Sequence, residues 1–238
     1  MKKQDISPSA ITAGYLKRQR RYILTTGILL LLTLSLAAVM MLYGNTIYSP
    51  ETVLRVLSGT DAGGAAFTIR TLRFPRMLTA ILCGMAFGLS GNTFQQLLGN
   101  PLASPDIIGV TSGASVAAVF GILILQLGEA HAVTLGIPVS ITRLLLILLA
   151  LVLTAFAASV TGPIASVAFL SGPIAARISG RGRSSMLAAS LTGSILILIS
   201  DLVGQFTLPS RYPVGVITGI LGAPYLLFLL LRINHKGD

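Results

Sequence analysis

The chain has 238 residues, of which 53% are hydrophobic and only 10% are charged, and its mean hydropathy is +0.85. Soluble domains carry about 25% charged residues, so this composition excludes an ordinary soluble protein and indicates an integral membrane protein. The net charge of +10 does not indicate a nucleic-acid partner, because the basic residues are grouped at the ends of apolar runs, where they set membrane topology.

The apolar runs predict membrane spans, since a bilayer core of about 30 Å is crossed by about 20 apolar residues. The runs that reach this length are 23–43, 77–98, 107–127, 144–160, 186–206 and 214–231. A further run, 164–176, is shorter and predicts a short or re-entrant helix. The predicted fold class is therefore all-α, a polytopic transmembrane helix bundle with about six or seven membrane segments.

Clusters of basic residues predict the orientation. The cluster before the first span predicts a cytoplasmic N-terminal tail, residues 1–22, followed by a membrane domain, residues 23–238. This cluster contains Lys2, Lys3, Lys17, Arg18, Arg20 and Arg21. Two further clusters, Arg177 with Arg181 and Arg183, and Arg232 with Lys236, are predicted to lie on the same side. The first span is too long for the apolar region of a signal peptide, so it is interpreted as a membrane anchor.

The sequence carries few residues with catalytic or metal-binding chemistry. It contains no HExxH, no CxxC and no phosphate-binding loop with lysine, and its one cysteine, Cys83, lies in an apolar run. No enzymatic activity and no cofactor are predicted. Asp201 stands inside a predicted span, where a charge costs about 2.5–3.5 kcal/mol, so it has either a functional role or an interior hydrogen-bonding role. The glycines between Gly84 and Gly91 predict buried helix faces.

Several motifs in order resemble one transporter family. They are Leu-Arg-Phe-Pro-Arg at 72–76, the small residues of 84–91, Gln95, NPLASPDIIGVTSGA at 100–114, LGEAHAVTLG at 127–136, and shorter matches at 158–164, 201–202, 213–216 and 222–225. Together they resemble the FecCD-type permeases, the membrane subunits of binding-protein-dependent ABC importers for ferric siderophores, haem and cobalamin. The run 176–180 is most similar to that of ferric catecholate siderophore permeases.

The resemblance implies a fold like that of an ABC type II importer permease, located in the cell inner membrane. It also implies the partners: a cytoplasmic ABC ATPase dimer, a periplasmic or lipid-anchored siderophore-binding protein, a second permease subunit and membrane lipid. No cofactor is implied, because the ATPase subunits supply the energy. Transport of a ferric siderophore is the function expected from this family.

Individual positions take roles from the family's motifs. Arg73 and Arg76 are expected to dock acidic residues of the binding protein, the alternative being an anchor to lipid headgroups. The coupling segment to the ATPase is expected at 127–136, the alternative being a polar linker, and its residues are Gly128, Glu129, Ala132, Leu135 and Gly136. Asn100 and Leu102, in a turn broken by prolines, are expected to border the translocation path as a gate.

One part of the family pattern is missing. The family resemblance implies ten spans. This chain lacks about three of them, roughly 90 residues, and the junction is expected near 122–130. With a cytoplasmic N-terminus, three full spans before residue 127 would place the coupling segment outside. Either 107–127 is only partly inserted, or the C-terminal half is displaced. A second hypothesis follows: a transport-inactive, internally deleted derivative that only associates with partner subunits.

Overall fold

A computed structural model describes residues 8–59, 63–104, 139–162, 164–180, 186–207 and 210–234. The regular structure in these ranges is helical throughout, with no strand among the described residues. The helices are α1 (Pro8–Leu42), α2 (Pro50–Leu57), α3 (Gly64–Phe67), α4 (Phe74–Leu98), α5 (Val139–Thr161), α6 (Ala165–Ser179), α7 (Met186–Phe206) and α8 (Val214–Asn234), and a π-helical segment, Thr68–Arg73, joins α3 to α4.

The predicted membrane spans correspond to long helices. Four helical stretches are long and apolar enough to cross a bilayer: Gly14–Leu42, Gly64–Leu98, Arg143–Thr161 and Met186–Phe206. Helix α8 is 21 residues long, and α6 has 15 residues, which agrees with the short helix expected there. The predicted span 107–127 lies outside the described residues. The all-α, multi-pass membrane fold is confirmed.

Helix α4 lies at the centre of the bundle because its glycines admit neighbouring backbones. A Cβ atom on Gly84 or Gly88 would overlap the backbone of α7, and one on Gly91 would overlap the carbonyl of Ala168 in α6. The hydroxyl of Ser194 also donates to the carbonyl of Ile81, at 2.8 Å. Close backbone approach of this kind is how helices associate in lipid, so the buried faces predicted from the glycines are confirmed.

The bundle has two ends, which we name after one residue at each. The Gly99 end is where α4 stops, since Gly99 takes a left-handed conformation with φ of 62° that glycine adopts without strain. The Asp201 end is opposite, where α4 begins beside the last turns of α7. Successive long helices run in opposite directions between the two ends.

The undescribed stretch 105–138 is bounded by residues at the same end. The Arg143 guanidinium, in the first turns of α5, donates to the carbonyl of Leu97, in the last turn of α4. Ala103 also packs in one cluster with Ile147 and Ala150 of α5. Therefore α5 starts at the Gly99 end, where α4 has stopped.

Arg21 of α1 lies at the Gly99 end as well. The Arg21 guanidinium donates to the carbonyls of Ile178 and Arg177 in the last turn of α6, at 3.2 and 3.4 Å. Arg177 in turn stacks on the ring of Phe228 in α8, 5.3 Å from its centroid. The predicted basic clusters at Arg21 and Arg177 thus share one end, which is the distribution expected for cytoplasmic charge.

The outward faces of α1 and α5 are apolar. Leu31 and Leu34 of α1 are largely exposed, and so are Leu149, Val152 and Phe156 of α5. Contiguous exposed apolar surface is rare on soluble monomers, whereas it is the surface that lipid covers in a membrane protein.

Candidate functional site

Arginines gather at the Asp201 end, where the sequence predicts docking. The guanidinium of Arg73 donates to the carbonyl of Met41 at 2.8 Å and to that of Thr46 at 2.5 Å. Its Cζ atom lies 4.8 Å from the centre of the Tyr48 ring, within the range of a cation–π contact. Arg73 therefore binds the end of α1, although no carboxylate among the described residues lies within 4 Å to neutralise its charge.

Arg76 has a different environment, because it forms an ion pair. Its Nε and Nη2 atoms donate to the two carboxylate oxygens of Asp201, at 3.0 and 2.8 Å. Gln205, one turn later in α7, donates to the same carboxylate at 2.6 Å. The Asp201 side chain is 4% exposed and that of Arg76 is 53% exposed. The buried charge is thus paired, and half of the arginine still faces outward.

Four arginines satisfy carbonyls at the ends of helices. The last carbonyls of a helix lack intrahelical donors and carry the negative end of its dipole. Among the described residues, Arg73 donates to the end of α1, Arg70 to Val56 at the end of α2, Arg143 to Leu97 at the end of α4, and Arg21 to the end of α6. Arginine supplies several donors from one fixed charge, which suits this role in a low-dielectric environment.

The turn after α4 uses its polar residues locally. The side-chain oxygen of Asn100 accepts a hydrogen bond from the backbone N–H of Leu102 at 2.9 Å, and Ala103 N–H donates to the Asn100 carbonyl at 3.1 Å. Asn100 is exposed, whereas Ala103 and Ser104 are buried. This is an Asx-type turn at the Gly99 end. The expected gate role of Asn100 and Leu102 stays a prediction.

The expected coupling residues Gly128, Glu129, Ala132, Leu135 and Gly136 lie outside the described residues. So does the expected junction near 122–130. The two residues that bound this stretch, Ser104 and Val139, are at the Gly99 end, as described above. Within the described ranges, no group of three or more histidine, cysteine or acidic side chains is arranged to hold a metal.

Two residues of these networks, Arg143 and Gln205, were not predicted from the sequence. Arg143 stands one position before an apolar run and resembles any flanking charge, and Gln205 follows Asp201 by one helical turn. That i, i+4 spacing is the usable signal, since it places the two side chains on one helix face.

The motifs and the bundle can be compared with known proteins. A family model described as the FecCD transport family matches residues 28–126 and 122–232, which together make up most of the chain. The chain belongs to the FecCD transport family. The two matched ranges overlap at residues 122–126.

One of its relatives is the ferric enterobactin transport system permease protein FepG of Escherichia coli, which is 26% identical. The alignment covers 77% of this chain and 88% of the relative. The achromobactin transport system permease protein CbrC of Dickeya dadantii is 27% identical, covering 87% and 90%. The Fe(3+)-citrate import system permease protein YfmE of Bacillus subtilis is 24% identical, covering 90% and 96%.

This FecCD member is shorter than these relatives. Its alignment with the Bacillus protein extends over 322 positions, 84 more than the 238 residues of the chain, so the relative contains internal residues that this chain lacks. A solved structure described as a metal-chelate type ABC transporter in an inward-facing conformation covers 87% of this chain, with a TM-score of 0.70 and 19% identity. That likeness shows a shared fold.

Proposed function

We propose that the chain is the membrane permease subunit of a binding-protein-dependent ABC importer that takes up a ferric siderophore across the cell inner membrane. The observation that carries the proposal is the family match over both halves of the chain, together with relatives named as permeases of ferric enterobactin, achromobactin and ferric citrate systems. The permease itself performs no covalent chemistry; ATPase subunits supply the energy, and alternating access moves the substrate.

The arrangement of the ends supports a cytoplasmic N-terminus. Arg21, Arg143 and Arg177 share the Gly99 end, and positive residues favour the cytoplasmic side. On this assignment the Asp201 end faces the periplasm and presents Arg73 and Arg76 to the binding protein. Because Asp201 offsets the charge of Arg76, Arg73 is the one of these two residues whose positive charge is left for an acidic partner.

The same assignment favours a cytoplasmic coupling segment. Ser104 and Val139, the described residues on either side of it, both lie at the Gly99 end, on one side of the membrane. This supports partial insertion of 107–127 over displacement of the C-terminal half. Residues 128–136 would then meet the ATPase, through Glu129 and the flanking glycines, as the family's coupling segment is expected to do.

The partners follow from the same proposal. Two cytoplasmic ATPase subunits, a siderophore-binding protein and a second permease subunit, identical or similar, would complete the importer. The siderophore would pass at the interface of the two permeases. The turn at Asn100 and Leu102, at the Gly99 end, would border the cytoplasmic mouth of that path.

A second candidate is a transport-inactive derivative that associates with partner subunits without transporting. The observation that favours it is the length of the relatives, which contain at least 84 aligned positions that this chain lacks. A path built by helices of two permeases is incomplete if one copy lacks several of them.

One experiment separates the two candidates. The chain is produced with a ferric siderophore ATPase and binding protein in a strain whose own permeases are deleted, and uptake of radioactive iron is measured with ferric enterobactin and with ferric citrate. A full-length permease is the positive control, and co-purification of the ATPase is measured in parallel. Uptake supports the first candidate, and co-purification without uptake supports the second. If neither uptake nor co-purification is observed, both candidates are contradicted.

A further inference from the structure

Helix α6 contains a proline, and the carbonyl that the proline leaves without a helical donor is partly buried. Pro173 has no backbone N–H, so the carbonyl of the residue four positions earlier, Phe169, loses its helical donor. This carbonyl is set among buried residues: Val167, Ala168, Leu170 and Ser171 are all at most 2% exposed. A buried carbonyl without a donor is costly, above all where no water reaches it.

The missing donor comes from another helix. The Nε2 atom of Gln95 in α4 donates to the Phe169 carbonyl at 2.9 Å. Gln95 is 8% exposed, so its amide is itself in need of a partner. The two needs are complementary: the proline removes a hydrogen bond from α6, and the glutamine restores one.

Gly172 provides the room for this contact. A Cβ atom at position 172 would overlap the Oε1 atom of Gln95 and approach its Cδ atom to 2.9 Å. The residue beside the proline must therefore lack a side chain for the glutamine amide to reach Phe169. Gly91, one turn before Gln95, likewise lets α4 approach α6 closely at Ala168.

We propose that Gln95 is a positioning residue that replaces the hydrogen bond removed by Pro173, and so fixes the short helix α6 to the central helix α4. Pro173, Gly172 and Gln95 form one unit, in which each residue is needed because of the others.

A double-mutant cycle tests this dependence directly. The thermal midpoint is measured for the full chain in detergent, for Gln95→Met, for Pro173→Ala and for the double variant. Cys83 is the single cysteine and is 3% exposed, so its reaction with a thiol-specific fluorophore reports unfolding. Ser194→Ala is the control, because Ser194 in α7 is a buried side chain that also donates to the carbonyl of another helix, that of Ile81 in α4.

We expect Gln95→Met to lower the midpoint by roughly 2–6 °C in the natural background. In the Pro173→Ala background, the N–H of residue 173 can donate to the Phe169 carbonyl. There, Gln95→Met should lower the midpoint by less than half as much. Ser194→Ala should have equal effects in both backgrounds. An effect of Gln95→Met that is absent, or equal with and without Pro173, would overturn the proposal.

A second cycle does not depend on the proline variant being folded. Gly172→Ala should lower the midpoint when residue 95 is glutamine and have little effect when it is alanine, because the overlap is mainly with the glutamine amide. Gly219→Ala is the control, since no atom lies within 4 Å of an added Cβ there. A loss from Gly172→Ala that persists in the Gln95→Ala background would contradict the proposed contact.

Discussion

Arg76 and Asp201 are 125 positions apart in the sequence and joined by two hydrogen bonds, which fasten the first turn of α4 to the last turns of α7. The aspartate is almost fully buried and the arginine is half exposed. A charge in this position is tolerated because the guanidinium and Gln205 supply three donors to one carboxylate.

Loss of the Arg76 charge alone should destabilise the bundle more than loss of the Arg76 and Asp201 charges together. Arg76→Ala leaves a buried carboxylate without its counter-charge, which we expect to cost about 2–4 kcal/mol. The double variant Arg76→Ala with Asp201→Asn removes that charge and should recover at least half of the loss. The measurement is the thermal midpoint by Cys83 labelling, and a double variant no more stable than Arg76→Ala would contradict the pairing.

Gln205 should contribute less than Arg76 to the same site. Gln205→Leu removes one hydrogen bond to the carboxylate and leaves the ion pair, so we expect a loss of about 1–2 kcal/mol. In the Asp201→Asn background the loss should become smaller, because hydrogen bonds to a charged group are the stronger ones. Equal losses in both backgrounds would mean that Gln205 acts through packing alone.

The glycine contact between α4 and α7 should tolerate no added methyl group. Gly88→Ala would place its Cβ against the backbone of Ala189 and Ser190, so the helices must separate, at a cost of about 1–3 kcal/mol. Gly27→Ala in α1 is the control, because no atom lies within 4 Å of its added Cβ. Equal midpoints for the two variants would argue against close packing of α4 on α7.

The docking proposal predicts a difference between two arginines at the Asp201 end. Arg73→Gln removes the unneutralised charge and keeps a donor for the end of α1, so the Kd for the siderophore-binding protein should rise about 2–5-fold. Arg55→Gln is the control, because Arg55 is paired with Glu51 at 2.5 Å. Binding assays at low and high salt are the measurement, and an unchanged Kd for Arg73→Gln would refute the assigned role.

More of the fold than of the candidate site could be predicted from the sequence. Apolar runs located the long helices, and the short run at 164–176 identified α6, because span length is set by bilayer thickness. The helix leading into α4 begins earlier than the apolar run at 77–98. Its charged residues, Arg70, Arg73 and Arg76, stay helical because each finds an acceptor on another element.

The partners of the arginines could not be predicted from the sequence. A basic residue beside an apolar run is equally consistent with topology, docking or capping of a helix end, and the partner depends on which helix ends meet in space. Asp201 illustrates the same limit: its position within a span left a functional role and an interior hydrogen-bonding role open, and its partner Arg76 lies on another helix. The contact between Arg143 and Leu97 joins α4 to α5 across the missing part of the family pattern.

We infer that residues 128–136 lie on the cytoplasmic side of the membrane, where they can meet an ATPase. Single cysteines at Lys17, Asn45 and Ala132, each in a Cys83→Ser background, can be labelled with a membrane-impermeant thiol reagent in spheroplasts and in inverted vesicles. Lys17→Cys and Asn45→Cys mark the two opposite sides of the membrane.

We predict that Ala132→Cys is protected in spheroplasts and labelled in inverted vesicles, as Lys17→Cys is, whereas Asn45→Cys shows the reverse. Labelling of Ala132→Cys from the outside, at the level of Asn45→Cys, would contradict the account.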